Sequence, residues 1–177
     1  MNKLNKLRYK AMKKSKVGLF FILLALVPAA NSQESEAFNQ MKKMLGTWEG
    51  TISVSDGTVV EATSEFKLIS DGATIIETVV EDGVEMATTY SDKDGELVVK
   101  HYCALGTEPI FEASSVSGSE LSLTLISNTS YTEGQDDFVT SITYQYEQSN
   151  PDSVIVLSTV SQGSAALSRR GTLSRVQ

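Results

Sequence analysis

His101 and Cys103 are the residues whose types and spacing most suggest chemistry, and they are the only histidine and the only cysteine in the chain. They lie two residues apart in an alternating run, so on a β-strand both side chains point to the same face. A cysteine beside a histidine base can act as a nucleophile. Neighbours on one face are separated by about 6–7 Å at Cα, and no orienting third residue or oxyanion donor is evident. A pair that lines the core or a cavity is therefore preferred over a catalytic dyad.

Metal binding has less support than catalysis at the same position. One histidine and one cysteine supply two ligands, whereas a zinc site needs three or four. We therefore expect no metal site, and the sequence offers no positive reason to expect an enzyme.

The N-terminus has the pattern of an export signal. A lysine-rich stretch ends at Lys16 and is followed by an apolar run over residues 17–27. That run is too short for a membrane span of about 20 residues but matches the roughly 7–15 apolar residues of a signal peptide. Small residues up to Ser32 predict cleavage there, giving a signal peptide over 1–32 and one domain over 33–177. The predicted location is periplasmic or extracellular; an uncleaved anchor is the alternative.

The charge of residues 33–177 excludes several kinds of partner. Seven of the 15 basic residues precede residue 17, which leaves 8 basic against 22 acidic residues and a net charge of −14. Such a chain repels phosphate backbones and anionic head groups. We expect no nucleic-acid partner and no stable membrane insertion after cleavage of the signal peptide. A lone cysteine also rules out an intramolecular disulfide.

A short helix is predicted over residues 33–45, and strands are predicted after it. Ser35 can cap the helix, Gly46 can end it, and its apolar residues recur at helical spacing, namely Phe38, Met41 and Leu45. In the first strand, one face carries Trp48, Gly50, Ile52 and Val54.

Turn-forming pairs fall between the alternating runs: four Asp-Gly pairs, which favour hairpins, up to Gly95, then Ser117-Gly118 and Asn150-Pro151. Those runs are 60–68, 73–80, 84–90, 96–104, 110–116, 120–127, 138–147, 154–161 and 166–176. About ten sequential strands leave two exposed edges unless the sheet closes. The predicted fold is an all-β, antiparallel up-and-down barrel with the N-terminal helix closing one end; a β-sandwich is the alternative.

The Gly46-Thr47-Trp48 motif and the C-terminal strand ending Leu173-Ser174-Arg175-Val176 resemble the calycin superfamily of lipocalin-like and fatty-acid-binding-like barrels. The resemblance is closest to small exported bacterial lipocalin-like domains, which carry a run similar to residues 101–106. It implies that Trp48 lies at the barrel floor with Arg175 packed across it. Phe38 and Met41 would then plug that end. The longer lipocalin signature is not present, so the resemblance is to the broader barrel class.

Haem is a further possibility that the resemblance raises. A haem site requires one inward-facing histidine, which His101 would supply. In related haem barrels that ligand comes from near the C-terminal strand, where this chain has Arg169 and Arg170. We expect no cofactor, and keep a haem protein or enzyme centred on His101 and Cys103 as the first alternative.

Polar and aromatic residues in phase with the core indicate an enclosed cavity. Inward hydroxyls are costly unless hydrogen-bonded, and a barrel that keeps them often holds a ligand or water. The predicted lining is Thr88, Tyr90, His101, Cys103, Ser114, Thr140, Tyr144 and Tyr146. We expect a non-catalytic barrel that binds a small hydrophobic or amphipathic molecule. A solid-core barrel that acts through its surface in the cell envelope is the second alternative.

Overall fold

The computed structural model describes residues 34–127 and 130–177, so the predicted signal peptide lies outside the described residues. They form a closed barrel in which each strand is antiparallel to its neighbours. The strands are β1 (Gly46–Val54), β2 (Val59–Ile69), β3 (Thr74–Glu81), β4 (Val84–Lys93), β5 (Glu96–Tyr102), β6 (Ile110–Val116), β7 (Glu120–Leu125), β8 (Phe138–Tyr146), β9 (Ser153–Gln162) and β10 (Ala165–Arg175). The predicted barrel of about ten strands is confirmed, and the β-sandwich alternative is wrong.

Helix α1 (Glu36–Met41) precedes the barrel and continues as a 3₁₀ turn over Lys42–Met44. Ser35 caps α1, because its hydroxyl accepts a hydrogen bond of 3.1 Å from the backbone N–H of Phe38. The helix is shorter than predicted, since its last turn tightens before Gly46 enters β1. No helix in the described part of the chain has the length and hydropathy to cross a membrane.

Tight turns set the register of successive hairpins. Asp82 and Gly83 join β3 to β4, and both have positive φ, as do Asp94 and Gly95 between β4 and β5. Two adjacent residues with positive φ match the twist of the paired strands, and Asp-Gly tolerates this conformation best. The Asp-Gly signal therefore predicted these hairpins for a valid physical reason.

The barrel closes where β1 pairs with β10, in a register that runs from Trp48 opposite Arg175 to Val54 opposite Arg169. Gly50 makes this approach possible. The Cβ of an alanine at position 50 would lie 2.0 Å from the backbone oxygen of Thr172. Nothing larger than a hydrogen fits there without moving a strand.

Trp48 and Arg175 hold the end of the barrel next to α1. The indole is 1 % exposed and donates a hydrogen bond of 2.6 Å to the Met44 carbonyl. The guanidinium lies 4.3 Å from the centre of the indole ring and donates to the carbonyl oxygens of Lys43 and Leu45. Arg175 thus joins the last strand to the segment that leads into the first.

The two halves of the barrel interior differ in how they are filled. The half next to α1 is packed with apolar side chains, including the fully buried Phe38, Met41, Met44, Phe111 and Leu123. The other half, formed by the end of β1 and the start of β10 and their equivalents around the barrel, encloses a cavity. The barrel is solid at one end and hollow at the other.

We predict that Gly50→Ala lowers the free energy of unfolding by at least the ~1–3 kcal/mol typical of overpacking, because the new methyl group meets backbone rather than a movable side chain. Gly171→Ala is the matched control on the paired strand, where an added Cβ meets its nearest neighbours at 3.5 Å. Urea denaturation of both variants checks the difference. Equal stability of the two variants would contradict a closure limited by position 50.

We also predict that Arg175→Lys destabilises the barrel by about 2 kcal/mol, since lysine keeps the charge but not the planar fork that reaches two carbonyls and the indole face. Arg170→Lys, on the exposed face of the same strand, should change stability little. The test is equilibrium unfolding followed by the fluorescence of Trp48. A lysine variant as stable as the parent would show that charge alone holds this end.

Candidate functional site

The cavity in the hollow half has a volume of about 400 Å³ and opens at the end of the barrel opposite α1. Its wall is mostly apolar and is built from inward-facing residues of eight strands, β1–β5 and β8–β10, and from the turns between them. The aliphatic and methionine lining comprises Val54, Val60, Val79, Val84, Met86, Ala104, Leu105, Val139, Ile142, Val156, Val160 and Leu167. Val84 and Leu105 are half exposed at the mouth, so apolar surface reaches the solvent there.

A hydrogen-bonded polar cluster forms the inner end of the cavity. Glu77 Oε1 accepts a hydrogen bond of 2.9 Å from Ser64 Oγ, and Oε2 accepts one of 2.7 Å from the Tyr90 hydroxyl. The Tyr90 and Tyr144 hydroxyls are 2.5 Å apart. Because Tyr90 donates to Glu77, Tyr144 is the donor to Tyr90, and the three groups form a directed chain that ends on the carboxylate.

Burial controls the protonation of this cluster. Glu77 is 8 % exposed, and desolvation raises the pKa of its carboxyl group, although the hydroxyls of Tyr90 and Ser64 partly oppose the shift. Burial also raises the pKa of Tyr90 and Tyr144 well above the usual value, and the nearby charge of Glu77 adds to both shifts. Both phenols therefore stay neutral and remain hydrogen-bond donors.

His101 lies on the cavity wall as a neutral side chain. Its Nδ1 is 2.9 Å from Thr88 Oγ1. Burial, with a smaller contribution from the positive charge of Arg169, lowers the pKa of His101 to about 4. At neutral pH the ring is therefore a hydrogen-bonding group without charge.

Cys103 also lines the cavity, but it is not activated. It is half buried, and burial raises the pKa of its thiol, which keeps it protonated. The Nδ1 of His101 is engaged by Thr88 rather than by the sulfur. Among residues 34–127 and 130–177 no group of three or more histidine, cysteine, aspartate or glutamate side chains could hold a metal ion.

An ion pair stands between the inner cluster and the mouth. Arg169 Nη2 is 2.5 Å from Glu81 Oε2, and each side chain is only 19 % exposed. Asp56 and Asp82 lie farther out on the lining. Arg169 therefore neutralises the carboxylate of Glu81 but not those of Asp56, Glu77 and Asp82.

The structure brings together five of the residues predicted to line a cavity, namely Thr88, Tyr90, His101, Cys103 and Tyr144. Ser114 and Thr140 do not line it. Each sits at a β-bulge, between Ala113 and Ser115 in β6 and between Val139 and Ser141 in β8. A bulge inserts one residue and reverses the alternation on one side of it. Their hydroxyls instead bond to the carbonyls of neighbouring strands.

Tyr146 also lies away from the cavity, nearer α1. Its ring stacks on that of Tyr144 with centroids 6.4 Å apart, and its hydroxyl lies 3.8 Å from the sulfur of Met41. Phe38 and Met41 are fully buried at this end, together with Trp48. Tyr146 belongs to the packed half because it is one alternation beyond Tyr144 along β8.

Three further cavity residues, Glu77, Glu81 and Arg169, are not among those predicted from the sequence. A signal for Glu77 was present, since Ile75, Glu77 and Val79 alternate along one strand and the two apolar residues mark the inward face. The same alternation places Glu81 inward. Arg169 is in phase with Leu167 and Leu173, but its partner Glu81 is far away in sequence, so their pairing is visible only in the folded barrel.

No protein-family model matches the chain, and no curated protein matches it. Similar solved structures include redesigned β-barrels. EF1p2_mFAP2b bound to DFHBI is 16 % identical with a TM-score of 0.43, over 79 % of this chain and 99 % of that chain. The redesigned barrel b11L5F_LGL is 16 % identical with a TM-score of 0.41, over 81 % and 97 %. The redesigned barrel mFAP1 bound to DFHBI is 20 % identical with a TM-score of 0.40, over 80 % and 100 %. Similarity at this level has no bearing on what the chain binds.

We predict that acid weakens the barrel through His101. Its pKa falls from about 6.5 in the unfolded chain to about 4 in the fold. The unfolded state therefore binds the proton first, and stability is lost as pH falls through this window. In His101→Gln the loss between about pH 7 and pH 4.5 should be smaller. Urea denaturation at several pH values measures the difference.

The same prediction has a direct spectroscopic control. Because His101 is the only histidine in the chain, its imidazole signals in an NMR titration are assigned without ambiguity. The folded protein should show a midpoint near the value of about 4. A midpoint near the ordinary value of about 6.5 would mean that the ring is solvated and the site geometry is wrong.

Proposed function

We propose that this chain is an exported, non-catalytic barrel that binds a small apolar or amphipathic molecule in the cavity opposite α1. The observation that carries the proposal is a cavity of about 400 Å³ with an aliphatic wall and a few hydrogen-bonding groups at its inner end. Ligand sites in proteins commonly have volumes of about 300–1,000 Å³ and this combination of an apolar lining with a few fixed polar groups.

The contrast between the two halves of the interior supports a binding role. Protein interiors are normally packed to high density, and unfilled space forfeits dispersion contacts. Large aromatic and aliphatic side chains fill the end next to α1 in this way. At the opposite end, smaller valine side chains line the wall of the cavity. An apolar ligand would restore the missing contacts and remove both its own surface and the wall from water.

The chemistry of His101 and Cys103 supports binding over catalysis. A nucleophilic cysteine needs a lowered pKa, whereas burial raises the pKa of Cys103. His101 is neutral at physiological pH and is held by Thr88, which suits a group that orients a ligand. The proposed export rests on the pattern of residues 1–32 described above, a basic stretch followed by a short apolar run.

We predict that Val79→Phe weakens binding of the neutral, apolar dye Nile red by at least about tenfold, because the new ring occupies space inside the cavity. The matched control is Val80→Phe. It makes the same substitution one residue along β3, where the side chain points out of the barrel. Dye fluorescence gives the affinities, and urea denaturation confirms that both variants fold.

Equal weakening in both variants would contradict the proposal, and so would an unchanged affinity in Val79→Phe. Native mass spectrometry of protein purified from its native compartment should also show a bound small molecule on the parent chain, and less of it on Val79→Phe. An adduct of the same abundance on both would place the ligand outside the cavity.

A further inference from the structure

We propose that the ligand of this cavity is an organic cation, an apolar body carrying an ammonium group, and that the ammonium group pairs with Glu77. The inference rests on the proposed binding function and adds the chemical class of the ligand. It is carried by the position of one buried carboxylate in relation to the cavity and to the other charges around it.

Glu77 supplies the innermost carboxyl group of the cavity lining, and only neutral groups bond to it. Its oxygens accept hydrogen bonds from the hydroxyls of Ser64 and Tyr90. No basic side chain in residues 34–127 or 130–177 forms an ion pair with it. A carboxylate has about four acceptor positions, so capacity for further donors remains. A buried carboxylate without a counter-charge is costly, and a cationic ligand would remove that cost.

Glu81 is a carboxylate in the same barrel that is neutralised by a basic side chain of the protein. It lies on the same face of β3 and meets Arg169 at 2.5 Å. The fold therefore places an arginine beside the carboxylate nearer the mouth and none beside the deeper Glu77. The counter-charge for Glu77 is left for the ligand to supply.

The remaining charges on the lining favour the same sign of ligand. Four acidic side chains line the cavity, Asp56, Glu77, Glu81 and Asp82, against the single basic side chain of Arg169. His101 adds no positive charge at neutral pH because its pKa is about 4. An entering anion would have to compete with Glu81 for Arg169 and approach Glu77 with like charge, which disfavours it.

Aromatic rings complete the surroundings of the carboxylate. Tyr90 and Tyr144 line the inner end of the cavity with ring centroids 6.4 Å apart. Their phenols stay neutral, as the raised pKa of each requires. Tyrosine rings attract ammonium groups through their quadrupole, and this attraction is strongest away from water. The carboxylate and the two rings therefore act on the same charge.

The test compares three probes with one carbon skeleton and different charge, octylammonium, octanol and octanoate, by isothermal titration calorimetry at about pH 7.5, where the amine is protonated. Octylammonium should bind at least about tenfold more tightly than octanoate and more tightly than octanol. In Glu77→Gln this preference should disappear. Glu61→Gln, on the exposed outer face of β2, is the matched control and should keep the parent preference.

The outcomes separate this inference from the proposed function. If octanol binds in the cavity, as shown by weakening in Val79→Phe but not in Val80→Phe, and octylammonium has no advantage, the binding function stands and the cation is wrong. Tightest binding of octanoate, or a charge preference that survives in Glu77→Gln, also overturns the inference. If none of the three probes binds the parent chain, the cation inference fails, and absence of Nile red binding as well overturns the proposed function.

Discussion

The structure depends on the close approach of β1 and β10, because only closure satisfies the backbone groups of both strands and creates an inside. Gly50 permits the approach, since any side chain there would meet the backbone oxygen of Thr172. Arg175 fixes it at one end by lying over Trp48 and bonding to carbonyls that precede β1. The contacts of Arg175 lie at the end of the barrel next to α1.

The concentration of packing at one end determines where a site can form. Aromatic and methionine side chains from α1 and the first residues of the barrel fill the interior next to α1, whereas the opposite half encloses the cavity. That half can then hold polar groups in fixed positions. Tyr144 and Tyr146 support these groups at the boundary with the packed half, where the two rings stack on each other. Site residues on strands with locked side chains keep their geometry better than residues on loops.

Sequence reasoning predicted the features that depend on local rules. Alternation identified the strands, Asp-Gly pairs identified hairpins, and the two exposed edges of an open sheet favoured closure, whereas the packing of Arg175 across Trp48 was implied only by the resemblance to calycin barrels. Sequence reasoning failed where pairing with a distant strand changes the outcome that a local rule predicts. The bulges at Ser114 and Thr140 depend on how two strands pair, and no residue type marks them. Glu77 follows the alternation, yet its importance comes from the cavity above it and from the lack of an ion pair in the described residues. Neither the cavity nor the lack of an ion pair can be predicted from the sequence of one strand.

The buried carboxylate of Glu77 lowers the stability of the free protein and favours the binding of a cationic ligand. Desolvation raises the pKa of Glu77, so near and above that pKa the fold bears a cost that an apolar residue would not impose. The hydroxyls of Ser64, Tyr90 and Tyr144 reduce the cost but supply no charge. A ligand that binds only the folded state stabilises it in proportion to the logarithm of its concentration over its dissociation constant. An occupant that neutralises Glu77 therefore gains affinity from the same electrostatic cost that the free protein bears, and this coupling distinguishes a cationic ligand from a neutral one of equal size.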